Sequence, residues 1–400
     1  MFNMNLTSEQ LEFQGMLRNF VANEIKPKAI KPDRLEPFDK PLMLDLLNQT
    51  SELGLRSLSL SEEAGGVGVD LMTTCIVLEE LAVGDVDIAI TLGQTALLAG
   101  LLFEKWMTKE QRDHYISNFL NDPTFQLAYA GHDPDALVGW NYHEETQEKH
   151  VDIPSATKGV GNWTINGSVN FVTNAPIASL FVVSAWFEDQ IIFLLVPKDT
   201  PGLKVSEPII TSGENQTRWH HGVMSLVKFD DCQIPDENRI NNPEIGRDYA
   251  VRNIIQRAAI NLGVGKVAFE TAMDYTQIRR QGGVDIIEHQ AIGKMIADMS
   301  IKLEHSRLMI WKAAWRIDNS NAITDNDGLQ LPLHIIASSF TAEAIQEVTH
   351  LAAECFGAMA VMRDMPLQKY VEDAFIFLNS DTNDLSTKLR ITEAIIDYQR

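Results

Sequence analysis

Apolar residues change their period twice along this chain. Up to about Asp122 they recur at helical spacing, between Phe125 and Ile234 they come in short β-branched or aromatic runs, and from Asp248 onward helical spacing returns. The middle runs are Trp163 to Ile165, Val169 to Val172, Leu180 to Phe187, Ile191 to Val196 and Leu226 to Phe229, with no long helix between them. A parallel nucleotide-binding sheet of strand-helix-strand units is therefore excluded. An antiparallel barrel or sandwich is expected instead, with Asn166-Gly167 as a tight hairpin. The predicted α+β order is an N-terminal helical domain over 1–124, a middle β-domain over 125–240 and a C-terminal four-helix bundle over 241–400.

Local signals fill in the helices. Thr7 to Gln10 reads as a capping box, and Leu11, Leu17, Phe20, Val21 and Ile25 follow on one face until Lys26-Pro27 ends the helix. Further helices are expected over about 40–53, 71–82 and 88–103. Gly65, Gly66 and Gly68 have no preceding strand and no following Gly-Lys-Ser/Thr, so they read as a helix connector and not as a phosphate cradle. In the bundle, Ile292, Met295, Ile296, Met299, Leu303, Ile310, Ala314 and Ile317 make one stripe, and Phe340, Ala344, Val348 and Leu351 another. Trp311 and Trp315 read as core or interface residues.

The formal net charge is −22 over 400 residues, spread along the chain. Such a surface repels phosphate backbones and anionic lipid, so neither nucleic acid nor a membrane is an expected partner, and an anionic ligand needs a local basic site. Three scattered cysteines, Cys75, Cys232 and Cys355, are too few for a disulfide framework or a Cys-based metal site. Adjacent His220 and His221 read as a polar loop beside a strand, since neighbouring imidazoles seldom meet one metal. No metal is expected. No apolar run approaches the roughly 20 residues that span a bilayer, and a reducing cytoplasm is the expected compartment.

Several strings, in shared order, resemble the acyl-CoA dehydrogenase family over nearly the whole chain. They are Leu53 to Leu58, Glu62 to Gly68 and Glu79-Glu80-Leu81-Ala82 in the first domain, and Phe171-Val172-Thr173-Asn174 and Phe229 to Pro235 in the second. In the third, Tyr275 to Gly283, His289-Gln290 and Ala297-Asp298-Met299 are similar to the family's Tyr, Arg-x-x-Phe-Gly, Gln and Ala-Asp-Met pattern.

The resemblance implies FAD and a CoA thioester bound between β-domain and bundle. It implies α-proton abstraction by a carboxylate, with hydride passing to the flavin and an enoyl-CoA as product. By position it assigns His132, Asp133, Phe171, Thr173, Arg279, Gln290 and Gly357 to the cofactor, with Arg279 reaching a neighbouring subunit. His132-Asp133-Pro134 stands where the family has Thr-Glu-Pro, and Leu137-Val138-Gly139 replaces its Gly-Ser-Asp, which implies weaker phosphate contacts. Gly282 replaces a Phe, and Gly357-Ala358-Met359-Ala360 replaces Gly-Gly-x-Gly. Arg252 and Asn253 fall on the substrate side. The base position falls on Asp381, and the family's other base position falls on Asn253, which cannot serve. A polar turn or helix cap remains the alternative for Asp381.

The resemblance further implies an electron-transfer flavoprotein as electron acceptor and a homotetramer, or a heterotetramer. The alternatives to dehydrogenation are a flavin-containing acyl-CoA lyase of desulfinase type and a non-catalytic partner subunit.

Overall fold

The computed structural model describes residues 5–30, 42–131, 153–207, 220–319, 331–362, 364–379 and 385–396. Helix α1 (Ser8–Phe20) opens on the expected capping box: Thr7 Oγ1 accepts from the Gln10 amide and Gln10 Oε1 from the Thr7 amide. Leu17, Val21 and Ile25 are buried, whereas Leu11 is exposed. The chain does not stop at Lys26-Pro27. A π turn (Val21–Ile25) keeps Val21 and Ile25 against Gly84, and Pro27 then enters the first turn of a short helical segment (Lys26–Ala29), where its missing N–H is not needed.

Helices α2 (Leu44–Glu52), α3 (Leu71–Gly84), α4 (Val86–Leu101) and α5 (Lys109–Asn121) complete the first group. Helix α4 continues through a π turn to Trp106, and Val86–Trp106 is 21 residues long and apolar enough to cross a membrane by length and composition. This corrects the expectation that no run reaches that length. The stretch is 94% buried inside the protein, because β-domain and bundle both pack against it. It is apolar on nearly all sides for the same reason.

The sheet runs β6 (Leu203–Val205), β7 (Met224–Pro235), β3 (Asn162–Thr173), β2 (Ser155–Lys158), β4 (Ala178–Phe187), β5 (Gln190–Pro197) and β8 (Arg239–Ile240), with β1 (Gln126–Ala130) beside β4. It is mixed, not purely antiparallel, since β1 and β2 both pair in parallel with β4. Among the described residues the return from β1 to β4 passes through β2 and β3, with no long helix of the kind that marks a parallel pair in sequence.

The expected hairpin at Asn166-Gly167 is also corrected. Strand β3 runs straight through it, and Gly167, at φ +128°, sits where the register against β7 shifts. Asn166 and Asp231 exchange two hydrogen bonds of 3.0 and 2.8 Å across this bulge.

Helix α6 (Ile245–Ile278) leads into the ribbon β9 (Arg280–Gln281) and β10 (Val284–Asp285), whose turn uses Gly282 and Gly283 at positive φ. Helices α7 (Gln290–Asp318), α8 (Leu333–Phe356), α9 (Leu367–Leu378) and α10 (Leu385–Ile396) follow. Met299, Leu303, Ile310 and Ala314 of the first bundle stripe are buried, as are Ala344 and Val348 of the second, while Phe340 is exposed. One apolar core joins α1 and α3 to α6, α8 and α9, so the first and last helical groups pack as one body.

The closest crossing is at Gly263, where an added Cβ would lie 2.4 Å from the Glu79 carbonyl oxygen and 2.7 Å from Ala82 Cβ. Gly263→Ala is expected to push α6 off α3 and cost about 1–3 kcal/mol, read as a lowered midpoint in thermal unfolding.

Candidate functional site

Helix α4 carries one polar stripe on its otherwise apolar surface: Asp87, Thr91, Gln94 and Thr95. Each faces the β-domain. Asp87 Oδ1 accepts the Gly222 amide at 2.7 Å, and Thr95 Oγ1 donates to Gln126 Oε1 and accepts the Leu127 amide. Gln94 Nε2 donates to the Thr173 carbonyl at 3.1 Å, and Gln94 Oε1 accepts the Tyr249 hydroxyl at 3.3 Å. Asn174, fully buried at φ +66°, donates to the Thr91 and Leu127 carbonyls. The end of β3 and the turn before β7 are thereby clipped to α4 by a connected buried network, which fixes their position more firmly than apolar packing would.

Around this joint the β-domain meets helices of the first and last groups. Phe171 holds φ +56°, a strained region for an aromatic residue, and leaves its ring 53% exposed beside half-buried Thr173. From α6, Tyr249 stacks on Tyr129 of β1 at 4.2 Å, and Arg257 lies 5.6 Å from the Phe377 ring of α9. His221 packs on the other side of the joint, 4.3 Å from the same Phe377 ring, with Nε2 at 3.4 Å from Asp373 Oδ1. Lys369, one turn before Asp373, pairs with its second oxygen.

Two buried polar atoms here, Thr91 Oγ1 and Gln256 Nε2, have no hydrogen-bond partner among the described residues. Each costs about 1–3 kcal/mol unless something satisfies it.

Burial pushes the Tyr249 hydroxyl well above the ordinary tyrosine range, with Arg257 opposing. The same cause raises Tyr370, opposed by the Thr271 hydroxyl, and raises Tyr115, opposed by Asn238. The fold favours the neutral phenols, so the stability they contribute is complete below pH 10 and is lost as pH climbs above it. In an alkaline absorbance titration these three tyrosines are expected to ionise above the ordinary tyrosine range, together with loss of helical circular dichroism.

The positions expected from sequence divide. Phe171 and Thr173 lie at the end of β3 beside α4. Arg279 is exposed at the end of α6 with no carboxylate partner among the described residues, and Gln290 is exposed at the start of α7. Gly357 ends α8 at φ +57°, with open space where a Cβ would stand. Arg252 is bound to Asp318 at 2.8 Å, and Asp318 also accepts the Leu71 amide, so Arg252 braces α6 against α7 and α3. Asn253 is half-buried beside it. Asp381, His132 and Asp133 lie outside the described residues. Tyr249, Arg257 and the His221 to Asp373 pair escaped sequence reasoning; Gln94 lies on the α4 stripe, which had a local signal.

Family models match end to end: "Acyl-CoA dehydrogenase, N-terminal domain" over 7–122, "middle domain" over 148–231 and "C-terminal domain" over 253–377. The chain belongs to the acyl-CoA dehydrogenase family. Membership makes it an oxidoreductase acting on CH–CH bonds. The short-chain specific acyl-CoA dehydrogenase of Sus scrofa is 27% identical over 371 residues, covering 90% of this chain and 83% of that protein. Butyryl-CoA dehydrogenase from Megasphaera elsdenii shares the fold at TM-score 0.83 and 22% identity, over 99% of this chain and 100% of that one. PigA, solved with FAD and proline, shares it at TM-score 0.83 and 21% identity, over 99% of each chain.

The acyl-CoA dehydrogenase family implies FAD, and the described residues of this member fit it. The exposed Phe171 and a tethered Thr173 suit the face and edge of a flavin, Arg279 is a cation with no carboxylate partner among the described residues, and Gly357 leaves room for close approach.

Proposed function

We propose that this protein dehydrogenates an acyl-CoA thioester between its α and β carbons, with FAD as cofactor and Asp381 as base. The observation that supports it is the tether from Gln94 to the Thr173 carbonyl at 3.1 Å, which fixes the strand end that carries Phe171 and Thr173. Asp381 is assigned as base by its family position. Phe171 and Thr173 would hold the flavin ring, and His132, Asp133 and Gly357 complete the cofactor set by family position.

Arg279 and Gln290 would reach the cofactor of a neighbouring subunit, which makes a homotetramer the proposed assembly. An electron-transfer flavoprotein is the proposed acceptor. The three cysteines are free and buried, as suits the reducing cytoplasm proposed here.

A thioester α-proton is a weak acid, so Asp381 must be desolvated enough to compete for it, and the thioester oxygen must be polarised. FAD would supply the hydride acceptor that no side chain can provide. The test is a screen of straight, branched, cyclic and dicarboxylic acyl-CoA thioesters with an artificial electron acceptor. Yellow protein that consumes acceptor supports the proposal. Thioester conversion without acceptor consumption indicates the lyase, and colourless, inert protein indicates the partner subunit.

A further inference from the structure

We propose that Gln94 is a positioning residue for the cofactor: aimed by the Tyr249 hydroxyl, its side chain sets the peptide plane that follows Thr173, and with it the affinity for FAD. This role rests on the flavin reading above. The end of β3 needs support from outside the sheet. Its register against β7 slips between Val169 and Val172, and Phe171 and Asn174, at φ +56° and +66°, stand in the left-handed region on either side of Val172-Thr173. Such backbone relaxes unless its surroundings hold it. One peptide unit is held at both ends. Its N–H, that of Asn174, donates to the Val223 carbonyl at 2.8 Å, and its C=O, that of Thr173, accepts from Gln94 Nε2 at 3.1 Å. The plane cannot rotate while both bonds stand, so Thr173 is placed before any ligand arrives.

A glutamine amide has two orientations of nearly equal shape. The reversed one would set Oε1 against the Thr173 carbonyl, acceptor facing acceptor. Tyr249 excludes it, because its hydroxyl donates to Oε1 at 3.3 Å. The phenol ring is itself placed by stacking on Tyr129 of β1 at 4.2 Å. Gln94 is buried on a helix that is otherwise largely apolar, where a leucine would pack without needing partners. What the amide adds is direction. The Thr173 hydroxyl makes no hydrogen bond among the described residues, so the residue that the amide places keeps a donor and acceptor for a ligand.

The experiment measures the FAD dissociation constant of the full-length, FAD-loaded protein, from the recovery of flavin fluorescence on serial dilution. Gln94→Leu and Tyr249→Phe should each raise it by about three- to tenfold, the range of one neutral hydrogen bond. The double variant should bind no more weakly than Gln94→Leu alone, since the phenol acts through the amide. Gln94→Glu keeps the length and the bond from Tyr249 but donates to the Thr173 carbonyl only when protonated. Its affinity relative to the parent should therefore be poor at about pH 8 and recover towards about pH 5.5, because burial raises a carboxyl pKa. Leu17→Ala, in the buried face of α1, which carries no member of the relay, should lower the thermal midpoint and leave FAD affinity unchanged. Parent-like affinity in Gln94→Leu, additive losses in the double variant, or an equal loss in Leu17→Ala overturns the inference. Should Gln94→Leu not fold, Tyr249→Phe and the pH profile of Gln94→Glu decide it. A parent protein that binds no FAD is a different outcome, which removes the flavin reading and the relay's role with it.

Discussion

Asp381→Asn is expected to slow acyl-CoA-dependent reduction of an artificial acceptor by at least about 10²-fold while leaving thioester binding nearly unchanged. Asparagine keeps the size and hydrogen bonding of the side chain and removes only its basicity. Desolvation by a bound flavin and thioester would raise the aspartate pKa, which makes it a better base at neutral pH and makes its loss more costly. Exchange of the substrate α-hydrogen with deuterated water should fall in parallel, and this readout does not depend on hydride transfer. Asp381→Glu should be tolerated and should raise the rate, since Asp is one bond shorter than the family's glutamate and positioning is sensitive to such reach. A parent-like rate in Asp381→Asn would make this residue part of a turn and put the base elsewhere. Loss of folded protein would mark it as a helix cap.

Sequence period alone carries the succession of helices, strands and helices, because the long helices bury an apolar face and the central strands are rich in β-branched and aromatic runs. What it misses has specific causes. A type I′ hairpin and a β-bulge both ask for glycine at positive φ, so Asn166-Gly167 satisfied the first pattern while β3 uses the second. The parallel pairing of β1 with β4 has no crossover helix among the described residues to mark it in sequence.

At the site, Thr173 and Phe171 are legible through their family string, and the polar positions of α4 stand out in an apolar run. The tether from Tyr249 through Gln94 to Thr173 joins three separate stretches, as does the approach of His221 to Asp373 and Phe377. Neither leaves a local periodicity. The unpaired atoms of Thr91 and Gln256 follow from what packs around them and have no sequence signature at all.

The largest stability effect is expected at Glu80. Its carboxylate, 2% exposed on α3, accepts from Arg18 of α1 at 3.0 Å and from Lys266 of α6 at 2.6 Å. Arg18 is half in solvent and can rehydrate; Lys266, with 12% of its side chain exposed, cannot. Glu80→Leu would strand the Lys266 ammonium in a low-dielectric interior, which costs about 3–5 kcal/mol. That is a large part of the whole stability of a typical domain.

The double variant Glu80→Leu, Lys266→Met removes both buried charges at similar volume and should recover most of the loss, because a buried pair contributes little against a well-packed apolar replacement. Urea unfolding would show a lower midpoint with unchanged slope for the single variant and a near-parental midpoint for the double. Equal losses in both would mean that the two methylene stems, and not the charges, hold α3 to α6. A single variant costing under about 1 kcal/mol would mean that water reaches Lys266 and the pair behaves as a surface one. The brace also bears on the site, since the helix it anchors to α3 is the one whose Tyr249 hydroxyl bonds Gln94. Weaker binding of any thioester by the single variant, restored in the double, would trace that link from a buried charge to the site.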